Sequence, residues 1–303
     1  MNKQTEIKIH PDYPEEYITG KVTFFGREFK VTPDVLIPRL ETEWLVRRAR
    51  KYLEKSAQRR VHTVEWNNNF PETIQLSNHP TIWPSDQPTI IIDIGCGSGI
   101  IGTSVADLAD EVVFLDISPE ALRVAEENFR THFPEKKAQF IVSDLLGELP
   151  LQRESREAGR DLVSEQKSSV TSWQLLCKGA SRILFLANLP YIKARDWEYM
   201  SADTHFEPEL ALFGGEETGF EMYERLFEQI WDYSAHCRVH TVEWNNNFLE
   251  TIWPPYYPTI WLCIEFGFDQ REIAEETIKK YGWEYEFFQD YAGIERFCEI
   301  IVS

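Results

Sequence analysis

Thr89-Ile90-Ile91-Ile92-Asp93-Ile94-Gly95-Cys96-Gly97-Ser98-Gly99 decides the fold of this chain. The Ile-rich run reads as a strand buried on both faces, the habit of parallel sheets. Glycines follow at once, and an apolar helical run, Ile100–Leu108, opens behind them. Glycines in such a turn let the backbone approach a ligand with no Cβ in the way. Helix and strand patterns then alternate: Glu111–Leu115, Pro119–Phe129, Phe140–Val142, Ile183–Ala187, Gly219–Tyr233, Ile260–Glu265, Gln270–Tyr281, Glu284–Phe288 and Phe297–Val302. Alternation of this kind implies an α/β fold, a mostly parallel, doubly wound sheet with helices on both faces. Ser118 is placed to cap the helix after Asp116, with Pro119 at its first position. Ahead of the sheet, residues 17–39 read as a β-hairpin-like entry segment and Glu41–Lys55 as a helix.

Composition sets outer bounds. The chain has 303 residues, 43% of them hydrophobic and 14% aromatic, enough for a substantial core. Its formal net charge of -19 argues against a general affinity for nucleic acid or anionic membrane. The five cysteines (Cys96, Cys177, Cys237, Cys263, Cys298) show no paired spacing, which fits a reducing cytoplasm better than a disulfide framework. The first residues carry no apolar signal region, and no apolar run reaches membrane-spanning length. A monomer is expected.

Three strand ends carry the chemistry. Asp116 ends the strand after the glycine loop and could accept both hydroxyls of a ribose. Asp144 and Leu145 end the next one and suit an adenine amino group and ring. The loop by itself is ambiguous: Gly97-Ser98-Gly99-Ile100-Ile101-Gly102 also satisfies the dinucleotide pattern, with Asp116 where such a site wants its acid. Dinucleotide binding, S-adenosylmethionine binding and a structural turn all remain open on the loop alone. Gly95, directly after the strand, places the first tight turn two residues ahead of the dinucleotide pattern. The third strand end is Asn188-Leu189-Pro190-Tyr191, after Ile183–Ala187. An Asn amide oxygen and a backbone carbonyl make two adjacent acceptors, and a Tyr adds a flat face. That set suits a planar –NH2 group, an amide or an exocyclic amine, and has no role in hydride transfer.

Several segments in order resemble the PrmC/HemK family, which methylates the glutamine side chain of peptide release factors with S-adenosylmethionine. They are Val35-Leu36-Ile37-Pro38-Arg39-Leu40-Glu41-Thr42-Glu43, Asp93 to Gly99, Asn188 to Tyr191, Phe206-Glu207-Pro208 through Glu216, Ile264-Glu265-Phe266-Gly267 with Gln270, and Asp290 through Arg296. The resemblance implies a class I S-adenosylmethionine-dependent methyltransferase fold with an N-terminal hairpin segment and insertions. It implies a cofactor site at Asp93, Gly95, Cys96, Gly97, Ser98, Gly99, Asp116, Ile117, Asp144, Leu145 and Asn188. It implies catalysis by Asn188, Leu189, Pro190 and Tyr191, with Phe24, Arg39 and Glu207 beside the substrate. The glutamine N–H groups would donate to the Asn188 oxygen and the Leu189 carbonyl, with Tyr191 against the amide plane. No metal is implied. The rival readings are an adenine-N6 nucleic-acid methyltransferase, using the same acceptors on a flipped base, and a cofactor-binding protein that has lost activity.

The chain departs from the family in three ways. Leu189 stands where the family usually has Pro. The family's helical N-terminal domain is expected to be absent or reduced here, leaving 1–55 as entry hairpin and linker helix. Extra sequence lies at 56–88 and interrupts the methyltransferase domain, 89–303, at about 150–181 and 236–259. Arg60 to Phe70 recurs as Arg238 to Phe248, and Pro80 to Trp83 as Pro258 to Trp261, at a constant offset of 178. The plain reading is a duplicated surface insertion, placed at the amino-terminal edge of the sheet. The sharper one is a paired accessory subdomain with Trp66, Trp83, Trp244 and Trp261 as exposed anchors. His236-Cys237-x-x-His240 is an incomplete zinc ligand set with no matching Cys in the other copy. Plain readings also exist for site residues. Asp93 could only hold loop backbone, Glu207-Pro208 could only shape a turn, and Arg39 could pair with Glu41 or Glu43.

Overall fold

A computed structural model describes residues 10–58, 88–147, 182–237, 241–244, 248–251 and 259–302. In chain order the elements are α1 (Glu15–Thr19), β1 (Lys21–Phe24), β2 (Arg27–Lys30), α2 (Thr42–Gln58), β3 (Thr89–Ile94), α3 (Ile100–Val105), β4 (Glu111–Asp116), α4 (Pro119–His132), β5 (Ala138–Val142), β6 (Arg182–Ala187), β7 (Ile192–Lys193) and β8 (Phe213–Gly215). There follow α5 (Glu221–Cys237), β9 (Thr241–Trp244), β10 (Phe248–Thr251), β11 (Thr259–Glu265), α6 (Arg271–Tyr281), β12 (Glu284–Gln289) and β13 (Glu295–Val302).

Seven strands form the central sheet in the order β12-β13-β11-β6-β3-β4-β5. The pairings from β11 to β5 are parallel, and β13 runs antiparallel to both its neighbours. All six residues of β3 and all six of β6 are buried, because helices cover both faces. Alternate residues divide between those faces. Ile90, Ile92, Ile183 and Phe185 pack with Phe220, Phe227 and Ile230 of the α5 segment. Ile91, Leu184, Leu186 and Cys263 pack with Leu45 and Ala49 of α2, Ile101 of α3 and Phe129 of α4. Each large apolar side chain so buried contributes about 1.5–3 kcal/mol relative to exposure. Ser118 caps α4 as the sequence suggests, accepting the Ala121 N–H at 3.1 Å, with Pro119 in the first turn.

The chain winds in both directions from the β3–β6 pair. After β3 it proceeds through α3 and α4 to β4 and β5; after β6 it proceeds through α5 to β11. A crevice opens outside the carboxyl ends of the two central strands, where open α/β sheets hold ligands.

The entry segment is shorter than expected. Tyr17–Thr19 close the helix α1, and only β1 and β2 form the hairpin, turning at Phe25 and Gly26 with φ of 48° and 72°. Two positive φ values in a two-residue turn match the right-handed twist of the flanking strands. The strands that follow the extra sequence start side by side. Arg182 is in register with Thr89 on one side and Thr259 on the other, at the sheet edge opposite Gly95 and Asn188. The first repeat copy lies outside the described residues. In the second, β9 and β10 pair as an antiparallel hairpin, Trp244 opposite Phe248. The end of that copy is core strand: Trp261 is 1% exposed on β11 and stacks on Tyr52 at 4.4 Å between ring centroids. Trp261 is therefore no exposed anchor, because β11 is an interior strand covered on both faces.

Candidate functional site

A cavity of about 430 Å³ occupies the crevice at the carboxyl ends of β3, β4, β5 and β6. Of the residues singled out in the sequence, Gly95, Cys96, Gly97, Ser98, Asp116, Ile117, Asp144, Leu145, Asn188, Leu189, Pro190 and Arg39 line it. Asp93, Gly99, Tyr191, Glu207 and Phe24 do not.

The glycine loop leaves β3 with positive φ at Gly95, Gly97 and Gly99. A Cβ on Gly97 would meet nothing within 4 Å, so this backbone faces open space. Asp116, at the end of β4, braces the loop: one carboxylate oxygen accepts the Gly97 N–H at 2.8 Å and the other the Ser118 N–H at 2.9 Å. Each oxygen keeps lone pairs free for a further donor. Burial raises the Asp116 pKa, and the hydrogen bonds from Ser118 and Gly97 pull it back. Ile117 is 47% exposed on the cavity wall, an apolar surface that a flat ligand would cover. Asp144 is ion-paired with Arg225 at 2.6 Å, and Leu145 adopts φ of 55° beside it. An acid with lone pairs to spare, an open glycine turn and apolar walls make a site that an adenosyl group fits.

Asp93 takes its plain reading. It is fully buried and accepts the Gly102 N–H at 2.8 Å, tying β3 to the start of α3. Burial lifts its carboxyl to about 7, with Asp116 adding to the shift and the Gly102 hydrogen bond opposing it. Gly99 precedes α3 and packs on Ala125: a Cβ there would stand 2.8 Å from the Ala125 Cβ. Phe24 is a core residue at 1% exposure, edge-on to Phe29, because β1 alternates inward at that position. These three support the site and do not form its wall.

The acceptor side is assembled from distant parts of the chain. Asn188 follows β6, and the register that pairs Ala187 with Ile264 puts Glu265 beside it. Strand alternation turns both toward the face covered by α2. There Thr42, the first residue of α2, accepts the Asn188 Nδ2–H at 3.1 Å. That contact leaves Oδ1 as the end of the Asn188 amide available to a ligand. Glu265 is 1% exposed, and neither of its carboxylate oxygens closes a hydrogen bond of ordinary geometry. Its carboxyl is lifted to about 7 by burial, with the Thr42 hydroxyl, Arg296 and Arg39 pulling against that shift and Glu41 adding to it.

Tyr191 is half-buried next to the cavity, and burial holds its phenol well above the ordinary range, with Glu265 adding. Its carbonyl accepts from Gln270 Nε2 at 2.9 Å, while Gln270 also bridges the Thr218 carbonyl and the Gly267 N–H. Gly214 of β8 presses on the same motif, since a Cβ there would stand 2.3 Å from the Pro190 carbonyl oxygen. Arg39 pairs with Glu207 at 2.5 Å rather than with Glu41 or Glu43. Glu207 is buried behind the wall and also accepts the Ile37 N–H at 3.2 Å, so it fastens the 35–39 loop over the cavity.

Sequence reasoning missed Thr42, Glu265, Tyr223 and the bracing role of Gln270. Thr42, Glu265 and Gln270 sit inside segments already noted. Tyr223 has only one sequence signal, a hydroxyl on the otherwise apolar face of Phe220, Phe227 and Ile230.

Sheet order, crevice and glycine-acid pair together are those of a class I S-adenosylmethionine-dependent methyltransferase fold, and a family model described as a methyltransferase domain matches residues 91–163. A release factor glutamine methyltransferase of Koribacter versatilis is 29% identical over 93% of this chain and 72% of the relative. One of Clostridium acetobutylicum is 30% identical over 74% of this chain and 62% of the relative. A ribosomal protein uL3 glutamine methyltransferase of Francisella tularensis is 26% identical over 88% of this chain and 71% of the relative. Over most of its length the chain is thus similar to glutamine methyltransferases of the PrmC/HemK kind.

Proposed function

We propose that this protein transfers a methyl group from S-adenosylmethionine to the side-chain amide of a glutamine, the one in the Gly-Gly-Gln motif of a peptide chain release factor. The observation that carries the reading is the Asn188 amide on the cavity wall, committed through Nδ2 to Thr42 so that Oδ1 is left to accept; the carbonyl of Leu189, the next residue on the same wall, would be the second acceptor. An amide –NH2 has two donors, and these are two acceptors at one strand end.

When bound, S-adenosylmethionine supplies an electrophilic methyl group on its sulfonium. Asp116 would accept the ribose hydroxyls, and Gly95 to Ser98 would let the backbone run against the ligand. Ile117 and Leu145 would cover the adenine, and Asp144 would accept from its amino group while paired with Arg225. Asn188 and Leu189 would hold the two amide protons of the substrate, which fixes the nitrogen in place and direction. Tyr191 would pack on the amide plane, its phenol kept neutral by burial. Glu207 and Arg39 would shape the entrance by fastening the 35–39 loop. The nitrogen–methyl bond would form as the sulfonium carbon–sulfur bond breaks, S-adenosylhomocysteine would leave, and the nitrogen would release one of its protons to solvent; catalysis by this set is orientation and electrostatics, without a covalent enzyme intermediate. The reading makes the protein a cytoplasmic monomer that meets a protein partner and neither nucleic acid nor membrane. Among the described residues no helix is long and apolar enough to cross a membrane.

The test is mass spectrometry of the Gly-Gly-Gln peptide from a release factor incubated with enzyme and S-adenosylmethionine. A gain of one methyl group on the glutamine is expected. A parallel incubation with ribosomal protein uL3 separates the two substrates that the relatives' names carry. Methylation of uL3 alone would move the proposal to that protein, and methylation of neither would remove it.

A further inference from the structure

Leu189 lacks the ring of a proline, yet the structure holds it from three sides. It is 1% exposed. Its N–H donates to the Tyr223 hydroxyl at 2.9 Å. Tyr223 is fully buried on α5 and donates its own proton to the carbonyl of Glu265 at the end of β11, with the Ala187 carbonyl at 3.3 Å. Burial pushes the phenol far up, so this hydroxyl keeps its proton and both bonds. On the other side the Leu189 side chain lies on the glycine loop: a Cβ on Gly95 would stand 2.8 Å from Leu189 Cδ2.

These contacts act on one backbone group. Pro190 follows Leu189 and confines the Leu189 ψ to the extended region. Without a ring at 189, its φ and the tilt of the 188–189 peptide plane remain soft. The Tyr223 hydrogen bond holds that plane by its N–H, and the seat of the Leu189 side-chain end against Gly95 limits φ. The direction of the Leu189 carbonyl follows from those three restraints.

We propose that Tyr223 is a positioning residue that stands in for the absent ring at 189, holding the Leu189 N–H so that the Leu189 carbonyl points at the substrate amide; this rests on the function proposed above. Tyr223 itself touches neither substrate nor cofactor. It joins the ends of the neighbouring strands β6 and β11 through one hydroxyl. Removing that hydroxyl leaves a buried N–H without a partner, which the backbone can relieve only by tilting. A tilt that moves the carbonyl by about an ångström costs on the order of 100-fold in rate.

The experiment measures kcat, KM, cofactor Kd and Tm for Tyr223→Phe, Leu189→Pro and the double variant, with amide hydrogen exchange at Leu189. Tyr223→Phe should lower kcat roughly 10- to 100-fold with KM and cofactor Kd little changed. Leu189→Pro in the same chain should recover most of that loss, because Pro has no N–H to orphan and sets φ itself. A folded Tyr223→Phe protein with the wild-type kcat overturns the proposal. So does a loss that Leu189→Pro leaves in place, since that assigns Tyr223 a general packing role. If wild-type protein methylates neither release factor nor uL3, the function proposed above fails, and hydrogen exchange decides the clamp. The Leu189 amide should then exchange about fivefold faster in Tyr223→Phe, and an unchanged rate overturns it.

Discussion

The two walls of the cavity are built differently. The glycine-loop wall is braced by neighbours in sequence: Asp116 holds Gly97 and Ser118, 19 and 2 residues away. The Asn188 wall is braced by remote ones. Thr42 is 146 residues from Asn188, Tyr223 is 34 from Leu189, and Gln270 is 79 from Tyr191. The first wall forms once two adjacent parallel strands pair. The second forms only after α2, α5 and the β11–α6 turn have all docked. Binding of the small ligand should therefore be robust to changes that disturb transfer.

That contrast can be broken by experiment. The largest effect is expected at Asn188. Asn188→Ala removes one preorganised acceptor and should lower kcat about 10²–10³-fold, while cofactor Kd by calorimetry stays close to wild type. An unchanged rate would sink both the mechanism and the division between the walls. Asp116→Ala should do the reverse, weakening cofactor binding roughly 10- to 100-fold through lost hydrogen bonds to a charged acceptor. Should its affinity match wild type, Asp116 would be only a loop brace.

A smaller effect is expected at Thr42, which holds Asn188 without touching the ligand's methyl. Thr42→Val should cut kcat about fivefold, the worth of a net hydrogen bond near 1 kcal/mol, and Thr42→Ser should recover part of it. The smallest effect concerns Glu265 and pH. Its folded carboxyl is lifted to about 7, above an unfolded value of about 4.3. The folded state then holds the proton more tightly, so this group's contribution is retained below the unfolded value and lost as pH rises through about 7. Glu265→Gln stays neutral throughout. Its Tm relative to wild type should be higher at pH 8 than at pH 5. A difference of the opposite sign would mean that Arg296 and Thr42 outweigh burial.

The strand and helix positions were legible because their signals are local. The Ile run at 89–94 is β3 to the residue, and Ser118-Pro119 marks the start of α4. The glycine-loop wall of the cavity was legible for the same reason: glycine turn and strand-end acid are a short-range pattern. Asn188 to Pro190 were visible as unusual residues ending a buried strand, and they do line the cavity. Phe24 was misplaced because a hairpin phenylalanine looks the same whether it packs inward or lines a pocket. Trp261 was misplaced because its repeat suggested an insertion, while its neighbours Ile260 and Leu262 continue a core strand. Arg39 has acids two and four residues on, yet its partner is Glu207, brought near only by the folding of the 206–215 segment against the 35–39 loop.

By itself, the sequence determined the alternation that makes a parallel sheet, the glycine turn after β3, and the residues at the strand ends that line the cavity. Those follow from periodicity, glycine sterics and turn chemistry, all acting over a few residues. Only the tertiary structure decided which way the Asn188 amide faces and what steadies the Leu189 carbonyl. A hydroxyl or amide can face either way until a partner from elsewhere in the chain claims one of its atoms. Here those partners are Thr42 and Tyr223, and no local pattern names them.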